Sequence, residues 1–173
     1  MRKRRLFSAL IFVIPAVLAV ATFAVAGDGG KTSFKADLNG YEETPSVSST
    51  GIGSFDARVD GDTISFTLTY EGLEGTTTTA AHIHLGQRGV TGGVIAFMCG
   101  GGGKPACPTS GTVTGTITAA DVIGPAGQGI AAGEFDEVVR ALRAGNVYPN
   151  VHTNKHPGGE IRGQANDANQ NSN

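Results

Sequence analysis

Tryptophan is absent from this 173-residue sequence, methionine and cysteine occur twice each, and aromatic residues make up only 6% of it. Charged residues are 16%, too few for a disordered polyampholyte or a nucleic-acid-binding arm. No Gly-x-Ser-x-Gly, P-loop, dinucleotide-binding fingerprint or EF-hand loop is present. The run Gly100–Gly103 lacks both the strand-to-helix setting and the Gly-Lys-Ser/Thr ending of a phosphate loop. Leucine and lysine are scarce while threonine and 27 glycines are prominent, which favours strands and turns over a helix bundle.

Long hydrophobic runs are also missing, with one exception. Arg2, Lys3, Arg4 and Arg5 precede an apolar stretch from Leu6 to Ala26 that ends Ala24-Val25-Ala26 before Gly27. A basic start, an apolar stretch and a small-x-small ending describe an export signal, expected to be cleaved after Ala26. The rival reading is a retained anchor, because the run approaches the ~20 residues that span a bilayer. Removing the signal takes away four basic residues, leaving nine against fifteen acidic ones, a net charge of -6. An acidic exported domain is a poor partner for nucleic acid or anionic lipid. Residues 27–33 read as a flexible lead, 34–164 as one domain and 165–173 as a disordered polar tail. The exported chain is expected to be secreted, periplasmic or held at the cell surface.

The two cysteines, Cys99 and Cys107, enclose a glycine-rich loop. In an exported protein a close even pair reads as a disulfide, worth roughly 2–3 kcal/mol by the chain-entropy argument.

Period-two alternation dominates the domain. Phe34, Ala36 and Leu38 alternate with polar residues, as do Phe55, Ala57 and Val59, then Ile64, Phe66, Leu68 and Tyr70. Asp60-Gly61-Asp62 joins the last two runs as a hairpin. Further strands are expected over 80–85, 93–98, 111–118, 148–153 and 159–164. Thr118 to Asp121 fits a capping box, and Phe135, Val138, Val139 and Leu142 form one helical stripe stopped at Gly145. The expected fold is all-β, an antiparallel β-sandwich or Greek-key barrel with one or two short helices in a long connection.

All four histidines fall in two segments, Ala81-His-Ile-His84 and Asn150-Val-His-Thr-Asn-Lys-His156. Residues two apart on a strand share a face, so His82 and His84 project together, and His152 projects with Asn150 and Tyr148. If the two strands approach, three imidazoles converge into a set suited to copper, zinc, nickel or iron. The plain alternative is a set of strand histidines that bond backbone carbonyls or carboxylates. His156, before Pro157-Gly158-Gly159, belongs to a turn and is the weaker candidate. Glu160 and Arg162 share a strand face and are read as an ion pair that orients a neighbouring histidine. Glu42-Glu43 before Thr44-Pro45 reads as an exposed turn.

In combination, Leu38-Asn-Gly-Tyr-Glu-Glu-Thr-Pro45, Ala81-His-Ile-His84, Asn150-Val-His-Thr153 and Pro157-Gly-Gly-Glu-Ile-Arg-Gly-Gln164 resemble the CHRD domain, the repeat named after chordin and found singly in exported bacterial proteins. The resemblance implies an extracellular β-sandwich module, with His82, His84, His152, Glu160 and Arg162 at motif positions. A His-x-His strand in an acidic, disulfide-bonded, exported β-domain is also similar to copper/zinc superoxide dismutase, although the histidine-rich zinc loop of that family is missing. The expectation is therefore a binding module, with copper before zinc at the histidines and an unknown partner. The two alternatives are a copper-dependent redox enzyme and a metal-free structural or adhesive domain.

Overall fold

The computed structural model describes residues 30–165, so the signal-like segment and the polar tail beyond Ala165 lie outside the described residues. Strand β1 (Ser33–Asn39) runs antiparallel to β2 (Ile52–Asp60), which turns tightly through Gly61 and Asp62 into β3 (Thr63–Glu71). Gly61 takes φ of 53°, the left-handed backbone that such a turn requires and that glycine adopts without strain. β4 (Thr78–Leu85) leads to β5 (Val94–Cys99), and β6 (Gly111–Ile117) pairs back on β3. A helix, α1 (Phe135–Arg143), precedes β7 (Val147–Thr153) and the two-residue β8 (Ile161–Arg162).

The described strands form one eight-stranded antiparallel sheet in the order β5-β4-β7-β8-β1-β2-β3-β6. The sheet curls so that its edge strands β5 and β6 approach each other, giving a nearly closed barrel. The alternating apolar residues of the sequence point inward: Phe34, Leu38, Phe55, Ile64, Leu68, Ile83, Ile95, Val151 and Ile161 are all at most 2% exposed. The helix adds its predicted stripe to the same core, with Phe135, Val138, Val139 and Leu142 buried. Thr118 to Asp121 forms a single 3-10 turn, in which the Asp121 carboxylate accepts from the Thr118 N–H at 2.8 Å and hydroxyl at 3.0 Å.

Cys99 and Cys107 are bonded, tying the end of β5 to the connection that leads into β6. Two segment boundaries differ from the sequence reading. Ser33, placed in the lead, opens β1. Ala165, placed in the tail, is fully buried and donates its N–H to the Val147 carbonyl at 2.9 Å.

Candidate functional site

Strands β4 and β7 are separated by more than sixty residues in sequence but are neighbours in the sheet. Their register sets His82 opposite Asn150, His84 opposite Tyr148 and Ala80 opposite His152. Ala81, Ile83, Val147 and Val151 belong to the core, so by alternation the three histidines lie on the outer face of the sheet. That face is not open. His82 and His84 are 7% and 8% exposed, and His152 is half-buried, because connecting segments fold over them.

The three rings converge, with centroids 4.4 Å apart for His82 and His152 and 4.7 Å for His82 and His84. One nitrogen from each of His82, His84 and His152 lies within 4.8 Å of the others, a spacing that one ion could bridge. Two backbone carbonyls fix how two of these rings are protonated. His84 Nδ1 sits 2.9 Å from the Gly92 oxygen, and His152 Nδ1 sits 2.9 Å from the Pro157 oxygen. A carbonyl oxygen can only accept, so each Nδ1 carries the hydrogen and each neutral ring turns a bare Nε2 toward the cluster. His82 Nδ1 lies 2.7 Å from His84 Nε2.

Burial keeps these rings neutral. It is the largest influence on His82, with the neighbouring His152 and His84 adding to it, and the ring is pushed down to about 3. Burial likewise lowers His84 and His152, against the opposing pull of their carbonyl hydrogen bonds. Neutral imidazole is the form that binds metal.

Asn150, only 3% exposed, completes the cluster. Its Oδ1 is 3.1 Å from His84 Nε2 and 2.9 Å from His152 Nε2, while its Nδ2 donates toward Glu43 Oε1 at 3.5 Å. The expectation of an exposed turn at Glu42-Glu43 is corrected here. Glu43 is 8% exposed, because the segment folds back with the Val47 N–H on the Gly40 carbonyl at 2.7 Å. Burial pushes the Glu43 carboxyl up to about 7, although Asn150, Arg162 and the Thr44 N–H favour its ionised form. Glu42 pairs instead with Arg88.

A stack supports the cluster from one side. The Tyr148 ring lies on His84, 4.7 Å between centroids and 3° from parallel, and the Arg162 guanidinium lies 3.4 Å from the centroid of the Tyr148 ring. Arg162 is anchored by the Gln87 and Val90 carbonyls, both at 3.0 Å, and by the Thr44 hydroxyl at 3.3 Å. The Tyr148 hydroxyl accepts from the Gly92 N–H at 3.0 Å. Gly92 has to be glycine, since a Cβ there would overlap the Leu85 carbonyl. On another side the Phe97 ring meets His82 edge-on at 4.9 Å, and the Cys99–Cys107 loop rests on Phe97 through Gly101 and Gly102.

The expected Glu160–Arg162 ion pair is not formed. Glu160 is fully buried and accepts from the Ser49 hydroxyl at 2.7 Å, the Thr153 hydroxyl at 2.6 Å and the Glu74 N–H at 2.5 Å. Burial pulls its carboxyl upward, but these donors outweigh it and hold the group below its usual range. Glu160 thus holds the connection before β4 against the end of β7, and Arg162 reaches His84 only through Tyr148. His156 stands apart from the three histidines, its Nε2 3.7 Å from Glu74 Oε2.

Sequence reasoning placed Asn150 on the histidine face without giving it a role, and it misplaced Glu43 entirely. A cleft of about 650 Å³ lies elsewhere, lined by Asp62, Thr118, Glu134, Asp136, Glu137 and Arg140, and holds no histidine. No helix among the described residues is long and apolar enough to cross a membrane.

No curated protein matches the chain, and no solved structure matches it. A family model described as the CHRD domain matches residues 34–165, which contain both histidine segments and, apart from Ser33, every strand described above. The chain belongs to the CHRD domain family.

Proposed function

We propose that this protein is an exported CHRD module that binds one divalent metal ion, copper before zinc, through His82, His84 and His152. The observation that carries the reading is the convergence of one nitrogen from each ring within 4.8 Å on a face where all three rings are held neutral. Metal-ligating histidines characteristically donate their other ring N–H to a carbonyl or carboxylate, which sets the tautomer and aims the lone pair. The Gly92 and Pro157 carbonyls act in this way on His84 and His152. Imidazole suits both copper and zinc, and the Irving–Williams order ranks copper higher at a given nitrogen site. The signal-like amino terminus and the disulfide favour an oxidising compartment outside the cytoplasm.

Thermal unfolding of the purified protein with Cu(II), with Zn(II) and with a chelator tests the reading. An ion that binds the folded state at a hundredfold excess over its Kd adds about 2.7 kcal/mol. The wild type is expected to melt higher with metal, with the larger rise for Cu(II), and His82→Ala is expected to lose the rise. Identical melting with either metal and with chelator would refute metal binding and leave a structural or protein-binding module.

A further inference from the structure

We infer that the Asn150 side-chain oxygen is a fourth donor to the ion held by the three histidines, and that it biases the site toward divalent cations over Cu(I). The inference rests on the metal reading above and adds a ligand and a selectivity to it.

The histidine face holds unmatched acceptors. His152 presents its Nε2 to Asn150 Oδ1 at 2.9 Å, and His84 presents its Nε2 to the same oxygen at 3.1 Å. The carbonyls of Gly92 and Pro157 claim the hydrogens on the opposite nitrogens, so both Nε2 atoms are bare. His84 Nε2 can accept from His82 Nδ1 at 2.7 Å. For His152 Nε2 the near neighbour is the amide oxygen, another acceptor. Two acceptors held at hydrogen-bond distance without a proton repel each other, and a polar group left in that state inside the protein is destabilising. A cation placed among the three nitrogens and this oxygen turns the repulsion into coordination.

The amide could also relieve the repulsion by turning its NH2 toward the rings. Glu43 opposes that. Its carboxyl lies on the far side of the amide, 3.5 Å from Nδ2, and in its ionised form it can only accept and calls for the NH2. Gly159 lets the two side chains meet, because a Cβ at that position would overlap Glu43 Oε1 and crowd Asn150 Nδ2. Glu43 is thus a positioning residue that aims the amide oxygen at the cluster.

A hard amide oxygen discriminates among metals. Carbonyl-type oxygen suits divalent ions, whereas Cu(I) prefers soft donors and gains little from it.

The test is to measure Cu(II), Zn(II) and Cu(I) affinities of the whole purified protein by chelator competition. Three chains are compared: wild type, Asn150→Ala, and Asn150→Asp combined with Glu43→Gln. The double variant keeps an oxygen in place and gives it an amide partner, so that two carboxylates do not face each other. Asn150→Ala is expected to weaken Cu(II) and Zn(II) by ~10–100-fold and Cu(I) far less. The double variant is expected to bind Cu(II) at least as tightly as wild type. A wild type that binds no metal would end the metal reading and this inference with it. A wild type that binds, beside an Asn150→Ala that melts normally and binds Cu(II) equally well, would overturn this inference alone. Should Asn150→Ala fail to fold, the double variant decides, and a tenfold loss of Cu(II) affinity there would overturn it. A loss for Cu(I) equal to that for Cu(II) would refute the selectivity.

Discussion

His82, His84 and Glu43 are buried and His152 half-buried around one face of the sheet, and they pull stability in opposite directions with pH. The imidazoles titrate near 6.5 when unfolded and lower when folded, His82 at about 3. Below 6.5 the unfolded chain takes up protons that the folded cluster refuses, so stability is lost on acidification. Glu43 does the reverse: its carboxyl titrates at about 7 folded and 4.5 unfolded. Its favourable contribution is complete below 4.5 and is lost as pH rises through 7. Between pH 7.5 and 5 His82 roughly cancels Glu43, and the lowered His84 and His152 add to His82, so the metal-free protein is expected to be less stable at pH 5 than at pH 7.5. Glu43→Gln removes the opposing contribution and should stabilise the metal-free protein at pH 7.5, on the order of 2 kcal/mol, with little change at pH 4.5. Urea unfolding at these pH values checks both points. Stability that rises on acidification, or a Glu43→Gln variant that is weaker at pH 7.5, would contradict the assignment. The sequence made part of this scale legible. The His-x-His alternation showed that His82 and His84 share a face, because a strand's period is two whatever its neighbours. It could not show Glu43, whose burial depends on the 40–47 segment folding back over the sheet.

At the scale of elements, the site exists because β4 and β7 are adjacent and in one particular register. Alternation located both strands, but nothing local specified that they pair, since pairing between distant strands is decided by the whole sheet. The Glu160–Arg162 reading failed for a related reason. The two residues do share a strand face, yet each finds closer partners on other elements: Ser49, Thr153 and Glu74 for Glu160, and Tyr148 with three connecting-segment oxygens for Arg162. The helix was legible almost to the residue, because its apolar stripe and its glycine stop are local signals. Arg162→Ala is expected to leave the barrel folded while releasing Tyr148 and loosening His84. Its metal affinity should fall by ~10-fold or more, as it does when outer supports of metal ligands are removed. An Arg162→Ala protein with wild-type affinity would show that the stack has no hold on the site. The disulfide supports the site through Phe97. Replacing both cysteines by serine should cost roughly 2–3 kcal/mol in unfolding free energy. A melting temperature unchanged from wild type would show that the loop contributes nothing.

For the molecule as a whole, a curled sheet places its apolar residues inside and leaves one stretch of outer surface roofed by connecting segments. The roof closes over the histidine face. It buries His82 and His84 and partly covers His152, supplies the Gly92 and Pro157 carbonyls that orient two of the three rings, and brings Glu43 to Asn150. The family match spans this whole arrangement from 34 to 165. The proposed single metal centre on that roofed face is tested by adding one equivalent of Cu(II) to the purified protein and recording its EPR spectrum, beside the same experiment on His82→Ala/His84→Ala. One copper species with imidazole nitrogens coupled to the electron spin is expected in the wild type, and no such species in the variant. A wild-type spectrum identical to that of the variant, or to copper in buffer, would contradict it.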